Sequence, residues 1–104
     1  MKSIGYVMAS RLLVDGKKQV GFMYREKGEG QDSGWRFFSG EEDQDYVDNP
    51  DNIGIYDVQT IIDIDKSILP YLASTENCAY ERVEGTSRFQ MLEDYKFGKE
   101  LEEA

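Results

Sequence analysis

Residues 19–40, QVGFMYREKGEGQDSGWRFFSG, decide the fold of this chain. Two runs of alternating side chains flank a polar, glycine-containing loop, and such alternation is typical of β-strands. The first run puts Phe22 on the face opposite Met23, and the second puts Trp35 on the face opposite Arg36. The stretch therefore predicts an antiparallel hairpin with a long loop, in which Trp35 anchors the core.

Two further strands and four short helices are predicted around this hairpin. The strands are residues 4–10 and 78–83. The helices cover about 41–47 (Ser39 and Glu42 have capping-box spacing), 58–65 (capped by Asp57), 66–72 (capped by Ser67) and 88–97 (capped by Ser87). The predicted fold class is α+β, a single domain in which a twisted antiparallel sheet is flanked by short helices. Residues 1–83 form this domain, and residues 84–104 are interpreted as a partly helical C-terminal extension, packed on it or trailing from it.

Length and composition limit the class of protein. A chain of 104 residues fits one domain. No apolar run approaches the roughly 20 residues of a membrane span, and the N-terminal apolar stretch is too short for a signal peptide. Cys78 is the only cysteine, which favours a reducing cytoplasm.

The absence of histidine excludes several kinds of chemistry. The sequence contains no His, which is the commonest general base and the commonest transition-metal ligand. Triads of the Ser-His-Asp type, Cys-His nucleophiles and ordinary structural zinc sites are therefore excluded. We predict no catalytic residue, no metal site and no cofactor.

The negative charge is concentrated in the middle of the chain. Residues 41–65 contain nine Asp or Glu and no Lys or Arg, and the whole chain has a net charge of −9. Such a chain should repel nucleic acid, which is bound through Lys and Arg, and anionic membrane surfaces. A basic protein or a cation is the electrostatically complementary partner.

The first part of this acidic stretch, residues 41–56, is the candidate partner-binding site, because carboxylates steer basic partners and Tyr is enriched at interface hot spots. The predicted residues are Glu41, Glu42, Asp43, Asp45, Tyr46, Asp48, Asp51, Asn52 and Tyr56. For any single acid, a solvated or helix-capping role is the alternative. We also hypothesise that Arg25 and Arg36, on neighbouring strands, pair with this stretch and hold it against the sheet.

Two other interpretations use the same carboxylates. Asp43, Asp45, Asp48 and Asp51 offer hard oxygen ligands for a cation such as Ca²⁺. The spacing does not match an EF-hand, because aligning Gly54 with the loop glycine puts a threonine where the loop needs glutamate. Paired carboxylates could also perform acid/base chemistry, although no pair stands out among so many acids.

Two motifs link the chain to a known family. At GFMYRE (21–26) and at SGWRFFSGEEDQDYVDNPDNIGIYDVQTI (33–61), the sequence resembles a bacterial family classed as type thirty-three among the immunity proteins of polymorphic toxin systems. The resemblance covers about residues 4–83. It implies an α+β domain and, from gene context, a protein that neutralises a cognate toxin. No residue with an established role carries over from the family.

The sequence therefore predicts a non-catalytic, cytoplasmic protein-binding domain, monomeric or weakly dimeric. With the resemblance, the best specific interpretation is an immunity protein that neutralises a basic toxin through an acidic face. The alternatives are a stand-alone housekeeping or regulatory binding domain, and a carboxylate-dependent or metal-dependent enzyme.

Overall fold

A computed structural model describes residues 5–74 and 77–92. Six strands are present in these ranges: β1 (Tyr6–Ser10), β2 (Phe22–Arg25), β3 (Asp32–Phe38), β4 (Ile53–Asp57), β5 (Cys78–Arg82) and β6 (Phe89–Met91). Three short α-helices are α1 (Arg11–Gly16), α2 (Gln44–Asp48) and α3 (Val58–Ile64), and two 3-10 helices cover Pro50–Asn52 and Lys66–Tyr71. No helix within the described ranges is both long and apolar enough to cross a membrane.

The strands form one sheet in the order β4-β1-β3-β2-β5-β6. The α+β class is confirmed, and the predicted β2–β3 hairpin is present, with Arg25 opposite Trp35 and Phe22 opposite Phe38. The sheet is mixed rather than wholly antiparallel, because β1 and β3 pair in parallel. Within the described residues the other strand pairings are antiparallel.

One face of the sheet forms the hydrophobic core with α1, α3 and the second 3-10 helix. Trp35, Phe37 and Met23 are fully buried on this face, which confirms Trp35 as a core anchor. The helices contribute buried side chains that pack in the same cluster, namely Leu13, Val58, Ile61, Ile62 and Ile68. The alternation along β2 and β3 leaves Phe22, Tyr24, Arg36 and Phe38 half-buried on the opposite face.

A bulge in β3 sets the register of the central strands. Between the pairs Tyr6–Asp32 and Met8–Arg36, β3 contains two more residues than β1. Gly34 lies in this bulge with a φ of +92°, and a Cβ atom there would lie 2.0 Å from the carbonyl oxygen of Glu26. Only glycine satisfies both conditions, so the strand depends on it for close approach to β2.

Three of the four predicted helices are present and differ from the prediction only at their ends or caps. Asp57 caps α3 as predicted, accepting a hydrogen bond from the backbone N–H of Gln59. The helix predicted at 41–47 begins later, at Gln44, because Asp43 rather than Ser39 is its cap. The cap of the 3-10 helix at Lys66–Tyr71 is Asp65 rather than Ser67.

Three elements differ from the prediction. Ile53–Asp57 forms strand β4, which was not predicted. Arg11–Gly16 forms a helix capped by Ser10, where the sequence predicted none. The predicted helix over 88–97 is a strand at Phe89–Met91, paired with β5. The remainder of that predicted helix, from residue 93, lies outside the described residues. The division at residue 83 into a domain and an extension stays a prediction, and β6 lies in the same sheet as the other strands.

Candidate protein-binding surface

The acidic stretch is attached to the sheet by the carboxylate of Glu42. Its Oε2 accepts hydrogen bonds from the hydroxyl of Ser10, which is fully buried, and from the backbone N–H of Ser39 at 2.9 Å. Its Oε1 accepts from the backbone N–H of Gly40 at 2.9 Å. Glu42 therefore joins the end of β1 to the loop that follows β3.

These contacts keep Glu42 charged. Burial alone would raise the pKa of this carboxyl, but hydrogen bonds from Ser10 and Ser39 outweigh burial and hold the pKa below its usual value. A carboxyl whose pKa is lower in the folded than in the unfolded state stabilises the fold above its unfolded pKa. That stabilisation is lost as the pH falls through the folded pKa.

Glu42→Gln should therefore reduce stability in a pH-dependent way. Because hydrogen bonds to a charged acceptor are weakened, we expect the free energy of unfolding at neutral pH to fall by about 1–3 kcal/mol. The difference from wild type should shrink as the pH falls below the unfolded pKa of about 4.5. Urea denaturation at neutral and at acidic pH measures this, with exposed Glu41→Gln as the control. A difference that is the same at both pH values would contradict the assignment.

Tyr46 and Arg11 fix the rest of the stretch to α1. The hydroxyl of Tyr46 accepts a hydrogen bond from the backbone N–H of Leu12 at 2.8 Å. Arg11 Nε donates to the carbonyl oxygen of Asp51 at 2.7 Å, and the side chain of Asn52 donates to the carbonyl oxygen of Tyr46 at 2.9 Å. The segment is therefore held at both ends of α2.

Five of the predicted site residues are exposed carboxylates, and we call them the acidic surface: Glu41, Asp43, Asp45, Asp48 and Asp51. Asp43 caps α2 by accepting from the backbone N–H of Tyr46 at 2.8 Å. Asp48 accepts from the side chain of Gln44 at 2.8 Å, and Asp45 lies in the first turn of α2. The structure thus brings these acids together on one short helix and its flanks.

The remaining predicted residues are less exposed. Glu42, Tyr46 and Asn52 are half-buried and make the anchoring contacts described above. Tyr56 packs against the core cluster, and its hydroxyl is buried with no hydrogen-bond partner in the described part of the chain. The partner-binding role of all nine residues stays a prediction.

Two cations next to the acidic surface were missed by the sequence reasoning. Lys18 Nζ lies 3.3 Å from the carboxylate of Glu41, and the guanidinium of Arg11 reaches the backbone at Asp51. Exposed ion pairs of this kind contribute little to stability. Each of these cations lies more than twenty positions before its partner, so no local pattern in the sequence signals the contact.

The hypothesis that Arg25 and Arg36 hold the acidic stretch is wrong. Arg36 pairs with Glu26 and with Asp32, at 2.7 and 2.8 Å. Burial alone would lower the pKa of Arg36, but its hydrogen bonds to these two carboxylates outweigh burial and raise it. Arg25 instead donates to the carbonyl oxygens of Ser33 and Ser74.

No metal cluster and no reactive thiol is found among the described residues. Across residues 5–74 and 77–92, no three Asp, Glu or Cys side chains are grouped so that they could hold a metal ion. Cys78 is buried in β5, and burial raises the pKa of its thiol, so the thiolate is disfavoured.

The fold and the surface define a small α+β domain that presents an anchored acidic surface beside its sheet. A family model described as the immunity protein Imm33 domain matches residues 7–93 of the 104-residue chain. The chain belongs to this family, which confirms the resemblance seen in the sequence. No curated protein and no solved structure matches the chain significantly.

Proposed function

We propose that the chain is an immunity protein that binds a cognate basic toxin through the acidic surface and neutralises it without catalysis. Membership in the Imm33 family supports the toxin-neutralising role. The observation that supports the acidic surface as the binding site is its anchoring. Its exposed carboxylates lie on a segment that hydrogen bonds of Glu42 and Tyr46 attach to the rest of the domain.

An anchored surface of this kind suits tight and fast binding. A segment that is already ordered loses less conformational entropy when it binds than a mobile loop would. Clustered carboxylates accelerate the encounter with a basic partner and then pair with its Lys and Arg. In this proposal the exposed acids contact the toxin, while Glu42, Tyr46 and Asn52 hold them in position.

Neutralisation would occur by occlusion. A toxin that acts on nucleic acid needs a basic cleft for the phosphates. The acidic surface would occupy that cleft and exclude the substrate, so the immunity protein needs no reaction of its own. The absence of histidine, the commonest general base, supports this non-catalytic part of the proposal.

The charge and the cysteine content support the setting that we propose. With a net charge of −9, the chain itself should bind neither nucleic acid nor an anionic membrane. A single cysteine is consistent with a reducing cytoplasm, where we place the protein as a monomer or weak homodimer.

A neutralisation assay tests the proposal. The genes around this one are searched for a secreted toxin, and its toxin domain is assayed for activity with increasing amounts of the purified chain. We expect loss of toxin activity at about equal amounts and co-elution of the two proteins on gel filtration. The control is an unrelated acidic protein of similar size. If the toxin stays active and elutes alone, a stand-alone binding domain becomes the better account.

A further inference from the structure

The sheet face opposite the core carries a groove bordered by α2. Its volume is about 430 Å³. We call it the aromatic groove and define it by Phe22, Tyr24, Phe38, Val47, Glu42 and Glu81, which are among its lining residues. It lies beside the acidic surface, because α2 contributes residues to both regions.

Three aromatic rings form one contiguous apolar area in the groove. Tyr24 and Phe38 are stacked, with ring centroids 6.2 Å apart and planes inclined by 12°. Phe22 lies 5.7 Å from Tyr24 and 6.2 Å from Phe38. The arrangement follows from the β2–β3 register, which places Phe22 directly opposite Phe38 on the same face.

The groove also has a charge of one sign. Among residues 5–74 and 77–92, its lining includes two carboxylates, Glu42 and Glu81, and neither Lys nor Arg. Glu81 is exposed and lies opposite Phe22 on the neighbouring strand β5. Arg36, which lies opposite Tyr24 on the same face, has its charge compensated by Glu26 and Asp32.

We propose that the aromatic groove binds an arginine side chain of the basic protein partner, a specificity contact that rests on the proposed function and extends it. A planar guanidinium stacks on aromatic rings and pairs with carboxylates through several N–H donors at once. An aliphatic side chain would use the rings and leave the exposed carboxylate of Glu81 unmatched. The groove's charge therefore selects the cation.

Titration of the intact chain with a model compound tests the site directly. The probe is Nα-acetyl-arginine methylamide, followed by ¹H–¹⁵N NMR, and the matched neutral probe is Nα-acetyl-citrulline methylamide. We expect the arginine probe to shift the amide signals of Gly21, Gly40 and Glu81, which line the groove. Equal shifts with citrulline, or shifts confined to the acidic surface, would overturn the inference.

Three variants sharpen the test. Phe38→Leu keeps apolar bulk but removes the ring, and Glu81→Gln removes the charge at constant shape. Each should weaken binding of the arginine probe roughly fivefold. Glu29→Gln, in the exposed β2–β3 loop, makes the same change in net charge and should leave probe binding unaltered. The NMR spectra also report whether each variant is folded.

Measuring how tightly the variants bind the toxin distinguishes this inference from the proposed function. The double variant Phe38→Leu/Glu81→Gln should bind the toxin at least tenfold more weakly than Glu29→Gln does. A double variant that binds as tightly as wild type would overturn the role of the groove and leave the proposed function standing. Failure of wild type to bind the toxin would instead count against the proposed function, whatever the arginine probe shows.

Discussion

Arg82→Met should lower the free energy of unfolding by about 3–5 kcal/mol, because it leaves a buried carboxylate without its cation. The side chain of Asp65 is 7% exposed, and that of Arg82 is 10% exposed. Asp65 also accepts hydrogen bonds from the backbone N–H of Val20 and from both the N–H and the hydroxyl of Ser67. None of these neutral donors replaces the lost charge.

The same arginine joins three parts of the fold. It donates to the carbonyl oxygens of Val20, ahead of β2, and of Thr86, in the β5–β6 turn, each at 2.8 Å. Its guanidinium lies 4.8 Å from the ring centroid of Phe89 in β6. Methionine fills similar space but supplies no donor, so both carbonyls lose their partner as well.

Urea denaturation measures this effect, and Arg88→Met is the matched control. Arg88 is exposed, so its replacement should change stability by no more than about 0.5 kcal/mol. The double variant Asp65→Asn/Arg82→Met should lose less than the sum of the two single losses, because the two side chains act as a unit. If Arg82→Met lowers the free energy of unfolding by no more than Arg88→Met does, the Asp65–Arg82 pair does not stabilise the fold as we predict.

Elements specified by neighbouring residues could be predicted from the sequence. Helix α3 follows from a capping Asp57 and the apolar spacing of Val58, Ile61 and Ile62, all within one short segment. Phe89–Met91 has comparable capping signals but forms a strand. Its pairing with β5 and the burial of Phe89 outweigh local preference, and neither can be deduced from spacing alone.

The order and the relative directions of the strands could not be predicted from local sequence patterns, for the same reason. The parallel pairing of β1 with β3 requires a crossover, and alternation within each strand does not reveal its neighbour. Helix α1 was missed because it has only six residues, too few for a clear helical period. Its cap, Ser10, also appears as an ordinary end of strand β1.

The acidic stretch was predicted as a unit, but the separate roles of its residues were not. Glu42 and Tyr46 act as anchors because Ser10 and Leu12, more than thirty positions earlier, supply their donors. Arg36 has nearer partners in Glu26 and Asp32, so it does not reach the stretch. The aromatic groove was also missed, since it combines strand residues with a helix that sequence spacing does not place there.

Replacing Asp43, Asp45 and Asp48 together by asparagine should slow association with the toxin by about ten- to a hundredfold at low salt. The replacements keep side-chain shape, and asparagine at position 43 can still cap α2. The loss therefore reflects charge. Dissociation should also accelerate where the missing carboxylates paired with Arg or Lys of the toxin.

The matched control removes as much charge elsewhere on the protein. Glu29, Asp63 and Glu84 are exposed and lie outside the acidic surface. Their combined replacement by Gln, Asn and Gln produces the same net charge as the surface variant. It separates a local effect of the acidic surface from the general attraction between an acidic and a basic protein.

The most direct test of the central claim is the association rate constant with the toxin, measured against ionic strength for these three proteins. We predict that the wild-type rate falls steeply as salt rises, because exposed charges are screened within about 10 Å at 0.1 M salt. The control should follow the wild type closely. The surface variant should be slow at low salt and nearly insensitive to added salt. Equal slowing of the surface variant and the control would contradict binding through the acidic surface.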